Sequence, residues 1–287
     1  MDIEQVRTFL AVVAHGSFLE AAQRVHVTQS TVSARIQALE QFLGARLFTR
    51  NRAGASLTPA GHRFLRHAKT LLLTTEQARH DVGLPSRFRA SLTIGARIAL
   101  WDGFLPHWAG RMRERAPDIS LRTEIGFEED LMRGIIAGTL DLALMYTPQH
   151  GAGLQVEHLF DETLVLISSD PDRVELDDSY VHVDWGPTFY AQHRQAYPDL
   201  ERPAQRANIG WLALQLILAN GGTCFVPDRV AAPYLRAGEL FQVADGPRFR
   251  LPAYAVYPLE SDSPALDTAL AILHSVIAKH PPAGEGR

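Results

Sequence analysis

The sequence predicts a mixed α/β fold in three parts: a small helical N-terminal unit carrying a hairpin, one long helix, and a two-lobed α/β body. Three observations carry this. Apolar residues recur at helical spacing through the first 57 residues, broken by short turns. From Thr58 to Val82 a second apolar stripe runs without a break. From Ser91 onward strand-like and helix-like runs alternate, as in a parallel sheet.

Taken in order, Val6, Phe9, Leu10 and Val13 define a first helix that Gly16 ends. "SFLE" (Ser17–Glu20) has the spacing of a capping box and opens a second helix, in which Ala21 and Ala22 allow another helix to cross closely. His26 and Val27 form a turn, and Thr28 can cap a third helix. Two short helices joined in this way make a helix-turn-helix. Val32, Ile36, Leu39 and Leu43 share one side of the third helix, and Gly44 can end it. "RLFTRNRAGASLT" (Arg46–Thr58) reads as two short strands around a glycine-containing turn.

The long helix starts with Thr58 as N-cap and Pro59 at its first position. Phe64, Ala68, Leu71, Thr75, Ala78 and Val82 follow a 4-3-4-3-4 spacing, widened by Leu65 and Leu72. At a rise of about 1.5 Å per residue it spans roughly 35 Å, more than a small domain needs internally. This makes it a candidate linker that also dimerises, through Phe64, Leu71, Leu72 and Val82. "GLPSRFRA" (Gly83–Ala90) breaks it as a hinge.

In the body, "SLTIGA", "SLRTEIG" and "DLALMY" read as strands around helices Trp101–Ala116 and Glu129–Gly138. "TLVLISS", "YVHVDW", "RANIG", "GTCFVP" and "PAYAVYP" continue the alternation, with helices near Thr188–Tyr197, Trp211–Asn220 and Pro264–Lys279. The expected boundaries are 1–58 for the helical unit, 59–84 for the linker helix and 85–90 for the hinge. The body covers 91–280, with lobe I near 91–160 and 256–280 and lobe II near 161–255; a disordered tail, 281–287, follows. A chain crossing between two such lobes leaves a cleft.

No apolar run approaches the roughly 20 residues that span a bilayer, and the N-terminus has acids where a signal peptide has basic residues, so no membrane partner and a cytoplasmic location are expected. The single cysteine, Cys224, excludes an intramolecular disulfide and a multi-cysteine metal site, and "GGTCFVP" reads as a buried strand. No metal or cofactor is expected. His62 and His67 point to different helix faces, no serine sits in a G-x-S-x-G elbow, and "GGT" precedes a strand instead of following one. No catalytic constellation can be built, so the chain is read as a non-enzyme.

Charge is uneven. The net charge is −4, yet residues 1–84 hold ten Lys and Arg against six Asp and Glu, and residues 28–69 hold seven against one, Glu40. A basic N-terminal unit on an acidic body points to a polyanion at one end. The third helix carries the sharper signal. Opposite its apolar side lie Ser30, Ser33, Ala34 and Gln37, with Gln29, Thr31 and Arg35 on the flanks. Long charged side chains hold a helix off a major groove, whereas these small polar ones allow close approach to base edges. Phosphate contacts then fall to Arg35, Arg50, Arg52 and the hydroxyls of Thr28 and Thr49.

The Ser17–Phe18 pair, Ala21–Ala22, "TQSTVS", "IQALEQFLGARLF", Arg50 and "LTPAG" together resemble the winged helix-turn-helix of LysR-type transcriptional regulators. The long helix and two lobes like those of periplasmic binding proteins extend the likeness over nearly the whole chain. "LWDGFLPHW" and "DWGPTF" resemble the HdfR-like branch of that family. The resemblance implies groove contacts from Gln29, Ser30, Thr31, Ser33 and Arg35, with wing contacts from Arg50 and Arg52. It also implies a homodimer or homotetramer on an inverted-repeat operator in promoter DNA, and RNA polymerase as a further partner.

A small-molecule effector is implied between the lobes, at strand ends facing helix N-termini. The candidate positions are Arg97, Ala99, Leu100 and Trp101 after the first strand, Phe127 after the second, and Tyr146 and Thr147 after the third. Trp185, Thr188, Phe189 and Trp211 complete the set. Many members have a hydroxyl where this chain has Ala99, so the usual anion contact is missing; Arg97 either replaces it or forms a rim salt bridge. An anionic or aromatic metabolite is expected, with Trp101 and Trp185 as walls. The competing reading is a solute-binding protein without DNA function.

Overall fold

The computed structural model describes residues 1–51, 54–200, 203–261 and 263–279, and the side chains of all of these except 50, 51, 80 and 81. Two units emerge, Met1–Leu84 and Pro85–Arg287.

The first unit begins with α1 (Ile3–His15), capped by a reciprocal pair in which Gln5 N–H donates to Asp2 and Asp2 N–H donates to the Gln5 side chain. The true capping box therefore opens α1. At Ser17, where the sequence suggested one, only the serine arm forms (Glu20 N to Ser17 Oγ, 3.4 Å), and it opens α2 (Phe18–Arg24). α3 (Gln29–Leu43) is capped by Thr28 and stopped by Gly44 in the left-handed conformation. β1 (Phe48–Asn51) and β2 (Gly54–Leu57) pair antiparallel as the wing, and α4 (Pro59–Val82) follows. Val6, Phe9, Phe18, Ala21, Val32, Ile36, Leu39 and Phe48 make one core, which also takes Phe64 and Ala68 from the start of α4. The wing is fixed from several sides. Ala55 N–H donates to Gly16 O (2.7 Å), Thr58 N–H to Leu47 O (2.9 Å), and the Thr58 hydroxyl to Arg46 O (2.6 Å) while capping Gly61 N. A Cβ on Gly61 would lie 2.2 Å from Leu47 O, so "LTPAG" is a cap, a helix start and a close backbone approach in sequence.

The second unit starts with β3 (Ala90–Ala96), α5 (Ile98–Trp101), α6 (Leu105–Arg115), β4 (Ile119–Ile125), α7 (Glu128–Ile136) and β5 (Leu142–Met145). The single helix expected over Trp101–Ala116 is split, because Asp102 turns extended and Gly103 takes φ 76°. β4, β3 and β5 pair in parallel. Then come β6 (Leu154–Ser168), β7 (Val181–Val183), α8 (Pro187–Ala196), β8 (Gln205–Ala207), α9 (Gly210–Asn220), β9 (Thr223–Pro227), α10 (Asp228–Ala237), β10 (Phe241–Gln242), β11 (Phe249–Pro258) and α11 (Pro264–Lys279).

The sheet is mixed, not simply parallel. β6 pairs antiparallel with β11, β9 and β10, β11 pairs antiparallel with β5, and β7 and β8 form a separate parallel pair. β6 and β11 stay bonded from Leu164↔Phe249 to Leu154↔Pro258, with a bulge at Ala253/Tyr254. This ribbon joins two α/β lobes. One holds β3–β5 and α11, whose Ala269 carbonyl accepts from Trp108 Nε1 on α6 at 3.1 Å. The other holds β7–β9 and α8–α10. Cys224 is fully buried on β9, and burial pushes its thiol pKa up, which suits a packing role and not a reactive thiolate.

Candidate functional site

α3 turns two contrasting faces. Val32, Ile36 and Leu39 are buried against α1 and α2, while Thr28, Gln29, Ser30, Ala34 and Gln37 are exposed and Thr31 and Ser33 half-buried. At the helix start the Thr28 hydroxyl accepts from Thr31 N–H (3.2 Å) and lies 2.8 Å from Ser30 Oγ and 2.9 Å from Thr31 Oγ1. No acid occupies the first turn, so the helix dipole stays available to an anion there. Between α3 and the wing runs a groove of ≈ 850 Å³ whose polar wall includes Ser33, Gln37, Gln41, Arg46 and Thr49. Glu40, the lone acid of this segment, also lines the groove and is half-buried; its Oε1 accepts from Leu47 N (2.6 Å) and Phe48 N (3.2 Å), anchoring the wing.

Arg35 Nη1 meets Glu4 and the Thr8 hydroxyl of α1, each at 3.3 Å. Arg50 lies on β1, and Arg52 lies outside the described residues.

In the second unit a cavity of ≈ 330 Å³ opens at the carboxyl ends of the parallel strands. Among the described residues it is lined by Arg97 after β3, Phe127 and Glu128 after β4, Thr147 after β5, Asp184, Trp185 and Gly186 after β7, and Asn208 after β8. α7, α8 and α9 start here, and none has a side-chain cap. Arg97 is 6% exposed; its Nη1 pairs with Glu128 at 3.3 Å and its guanidinium carbon sits 4.9 Å from the Phe127 ring centroid. Trp185 donates from Nε1 to Phe225 O (2.9 Å). Its ring lies where Gly210 has no side chain, since a Cβ there would come within 2.5 Å.

Behind this cavity a buried polar network spans the lobes. Glu162 on β6 accepts from Arg229 Nε (3.0 Å) and Nη2 (2.6 Å) and from the Tyr146 hydroxyl (2.9 Å). Arg229 also donates to the Ala99 carbonyl (2.5 Å) and the Asp102 carbonyl. Burial, then the Glu162 charge, holds the Tyr146 pKa well above its ordinary value, so the hydroxyl stays a donor. For Arg229 burial acts to lower the pKa, but Glu162 and Tyr146 outweigh it and the net shift is upward.

The model of bacterial regulatory helix-turn-helix proteins of the lysR family matches residues 3–62, and that of the LysR substrate binding domain matches residues 85–278. The chain belongs to the LysR family of transcriptional regulators. Its relatives include the HTH-type transcriptional regulator HdfR of Yersinia enterocolitica, 33% identical over 278 residues, covering 93% of this chain and 94% of that one. The HdfR of Yersinia pestis (strain Pestoides F) is 32% identical over the same coverage. In fold the chain resembles CbnR, a LysR family regulator, at a TM-score of 0.76 with 20% identity over 96% of this chain and 99% of that one. CbnR complexed with its target DNA gives 0.73, with 21% identity over 96% and 100%. As a LysR-type regulator it combines a helix-turn-helix with an effector-binding domain, which sets aside a solute-binding protein without DNA function.

Within the LysR effector domain the structure sorts the candidates. Arg97, Phe127, Thr147 and Trp185 share the cavity. Ala99 and Leu100 are buried on the inner face of α5. Trp101 is half-buried and donates to Glu124 O at 3.0 Å, which removes it from the wall it was expected to form. Tyr146 points into the Glu162 network, with its ring 6.0 Å from Trp185. Phe189 is fully buried beside His193, Phe225 and Phe249, because its helical phase in α8 matches His193, four residues on. Thr188 and Trp211 are exposed, one residue out of phase with the inward faces of α8 and α9. Glu128, Asp184, Gly186 and Asn208 line the cavity beyond the named candidates; Glu128 directly follows the candidate Phe127, and Asp184 and Gly186 flank Trp185.

On α4, Phe64 is not available to a partner helix. It is 8% exposed and packs edge-on against Phe9 at 5.0 Å, inside the core of its own unit. Leu71 is exposed, Leu72 half-buried, and Val82 90% exposed.

Proposed function

We propose that residues 28–58 read duplex promoter DNA, with Gln29, Ser30, Thr31, Ser33 and Gln37 approaching base edges. Thr28, Arg46, Thr49, Arg50 and Arg52 hold the phosphates. The observation that carries this reading is the small polar outer face of α3 beside the groove of the wing. The neighbour CbnR has been solved on its target DNA, which supports the same use of this unit. Two chains associate through Leu71, Leu72 and Val82 of α4, and the paired readers recognise an inverted repeat. The cytoplasm, where promoter DNA and RNA polymerase are found, is the working compartment.

The cavity at the ends of β3, β4, β5, β7 and β8 holds the effector, and its occupancy shifts promoter affinity through about 1–3 kcal/mol of coupling. The test starts from the full-length protein. Sequencing the genomic DNA that it retains should return promoters with inverted repeats, and Leu71→Asp should yield monomers that lose them. Thr147→Trp, which fills the cavity, should leave basal promoter binding intact and abolish its response to growth conditions. Retained DNA without a shared motif rejects the DNA assignment, and a full response in Thr147→Trp rejects the cavity assignment.

A further inference from the structure

The charges lining the cavity do not suit a simple anion. Among the described residues Arg97 is its one cationic lining residue, and that guanidinium already faces Glu128 at 3.3 Å beneath the Phe127 ring. Its Nε is buried with no hydrogen-bond partner among the described residues. Asp184 adds a second carboxylate to the lining. The first turn of α7 also carries Glu129 and Asp130, which cancel the attraction that a helix N-terminus offers an anion.

Each class of ligand can be weighed against this arrangement. A monoanion can accept from the open Nε of Arg97 without displacing Glu128, but it adds a third negative charge beside Glu128 and Asp184. A monocation can pair with Glu128 and Asp184, but it leaves the buried Arg97 Nε without an acceptor. A molecule bearing both charges meets both needs: its carboxylate accepts from Arg97 Nε, and its ammonium donates to Glu128 and Asp184. Thr147 and Asn208 remain for a polar substituent, and ≈ 330 Å³ suits a small molecule.

We propose that the cavity takes a small zwitterion, an α-amino acid or a compound with the same carboxylate–ammonium pair, and that the Arg97–Glu128 pair determines this specificity. This rests on the reading of the cavity as the effector site.

Titration of the full-length protein, read by Trp185 fluorescence, tests it. The probes are the protein L-α-amino acids and, for each that binds, the carboxylate lacking the amine and the amine lacking the carboxylate. At least one amino acid should bind saturably, and both truncated analogues should bind roughly tenfold or more weakly, the size of one lost charge-assisted contact. Asp184→Asn should weaken the amino acid by about tenfold, and Glu128→Gln should narrow the gap between carboxylate and amino acid by a similar factor. The unliganded melting temperature of each variant controls for folding. A carboxylate that binds as well as its amino acid, or a gap unchanged in Glu128→Gln, overturns the ligand class and leaves the cavity as the effector site. If no amino acid binds, the proposal is overturned; if Thr147→Trp also responds fully to growth conditions, the effector reading falls with it.

Discussion

The outward face of α3 with its hairpin and the cavity at the strand ends are built in opposite ways. The first is a run of neighbours on one helix plus a hairpin a few residues later, so its chemistry follows from the phase of α3. The second gathers its lining from five strand ends between Arg97 and Asn208, so its chemistry follows from topology. Contiguity makes a surface readable and also local: one side chain can ruin it without harming the fold. A gathered site depends on the contacts that hold its strands in place.

The largest expected effect breaks the first surface alone. Ser33→Glu puts an acid on the polar wall of the groove and should drop operator binding to the non-specific level, about 10³-fold or more, while thermal unfolding stays unchanged. A variant that loses affinity together with stability would show that the surface is not local after all. The next effect tests the gathered site. Glu162, 1% exposed, neutralises Arg229, so Glu162→Ala should cost about 3–5 kcal/mol in chemical denaturation. Operator binding at low temperature should survive it, and the response to effector should not.

How much of each surface was legible follows the same division. The outward face of α3 and the Thr28 cap could be read because a 3.6-residue period needs no knowledge of the rest of the chain. The pairing of Arg35 could not be read, because its partners, Glu4 and Thr8, lie on another helix. Phe64 was misjudged because the same 4-3 spacing serves an internal core and a dimer seam alike. In the cavity, Arg97, Phe127, Thr147 and Trp185 could be placed from the rule that ligands meet strand ends. Phe189, Thr188 and Trp211 could not, since a shift of one residue in helix phase exchanges core, wall and solvent. Arg229 sits on α10, a helix not foreseen between "GTCFVP" and "PAYAVYP".

The smallest expected effect separates the two units by pH. The Tyr180 hydroxyl lies 2.9 Å from His193 Nε2 and 3.3 Å from His182 Nδ1. Burial, then His182, pushes the His193 pKa down to about 4, and burial and Arg206 lower that of His182. Both are depressed in the folded state, so below about 6.5 the unfolded chain binds protons that the folded chain does not. Stability should fall as pH drops from there toward about 4, where His193 protonates in the folded state. Each histidine can contribute up to about 1.4 kcal/mol per pH unit. His193→Phe, which keeps the aromatic volume, should make the acid limb shallower. An unchanged limb would place the proton uptake elsewhere.

The ribbon of β6 and β11 has a mechanical consequence. Two strands bonded along their length resist bending across the ladder but yield to torsion, since right-handed twist is their natural deformation. The bulge at Ala253/Tyr254 concentrates that compliance at one level. A movement of one lobe against the other would therefore wind this strap, in the sense that the handedness of the strands sets.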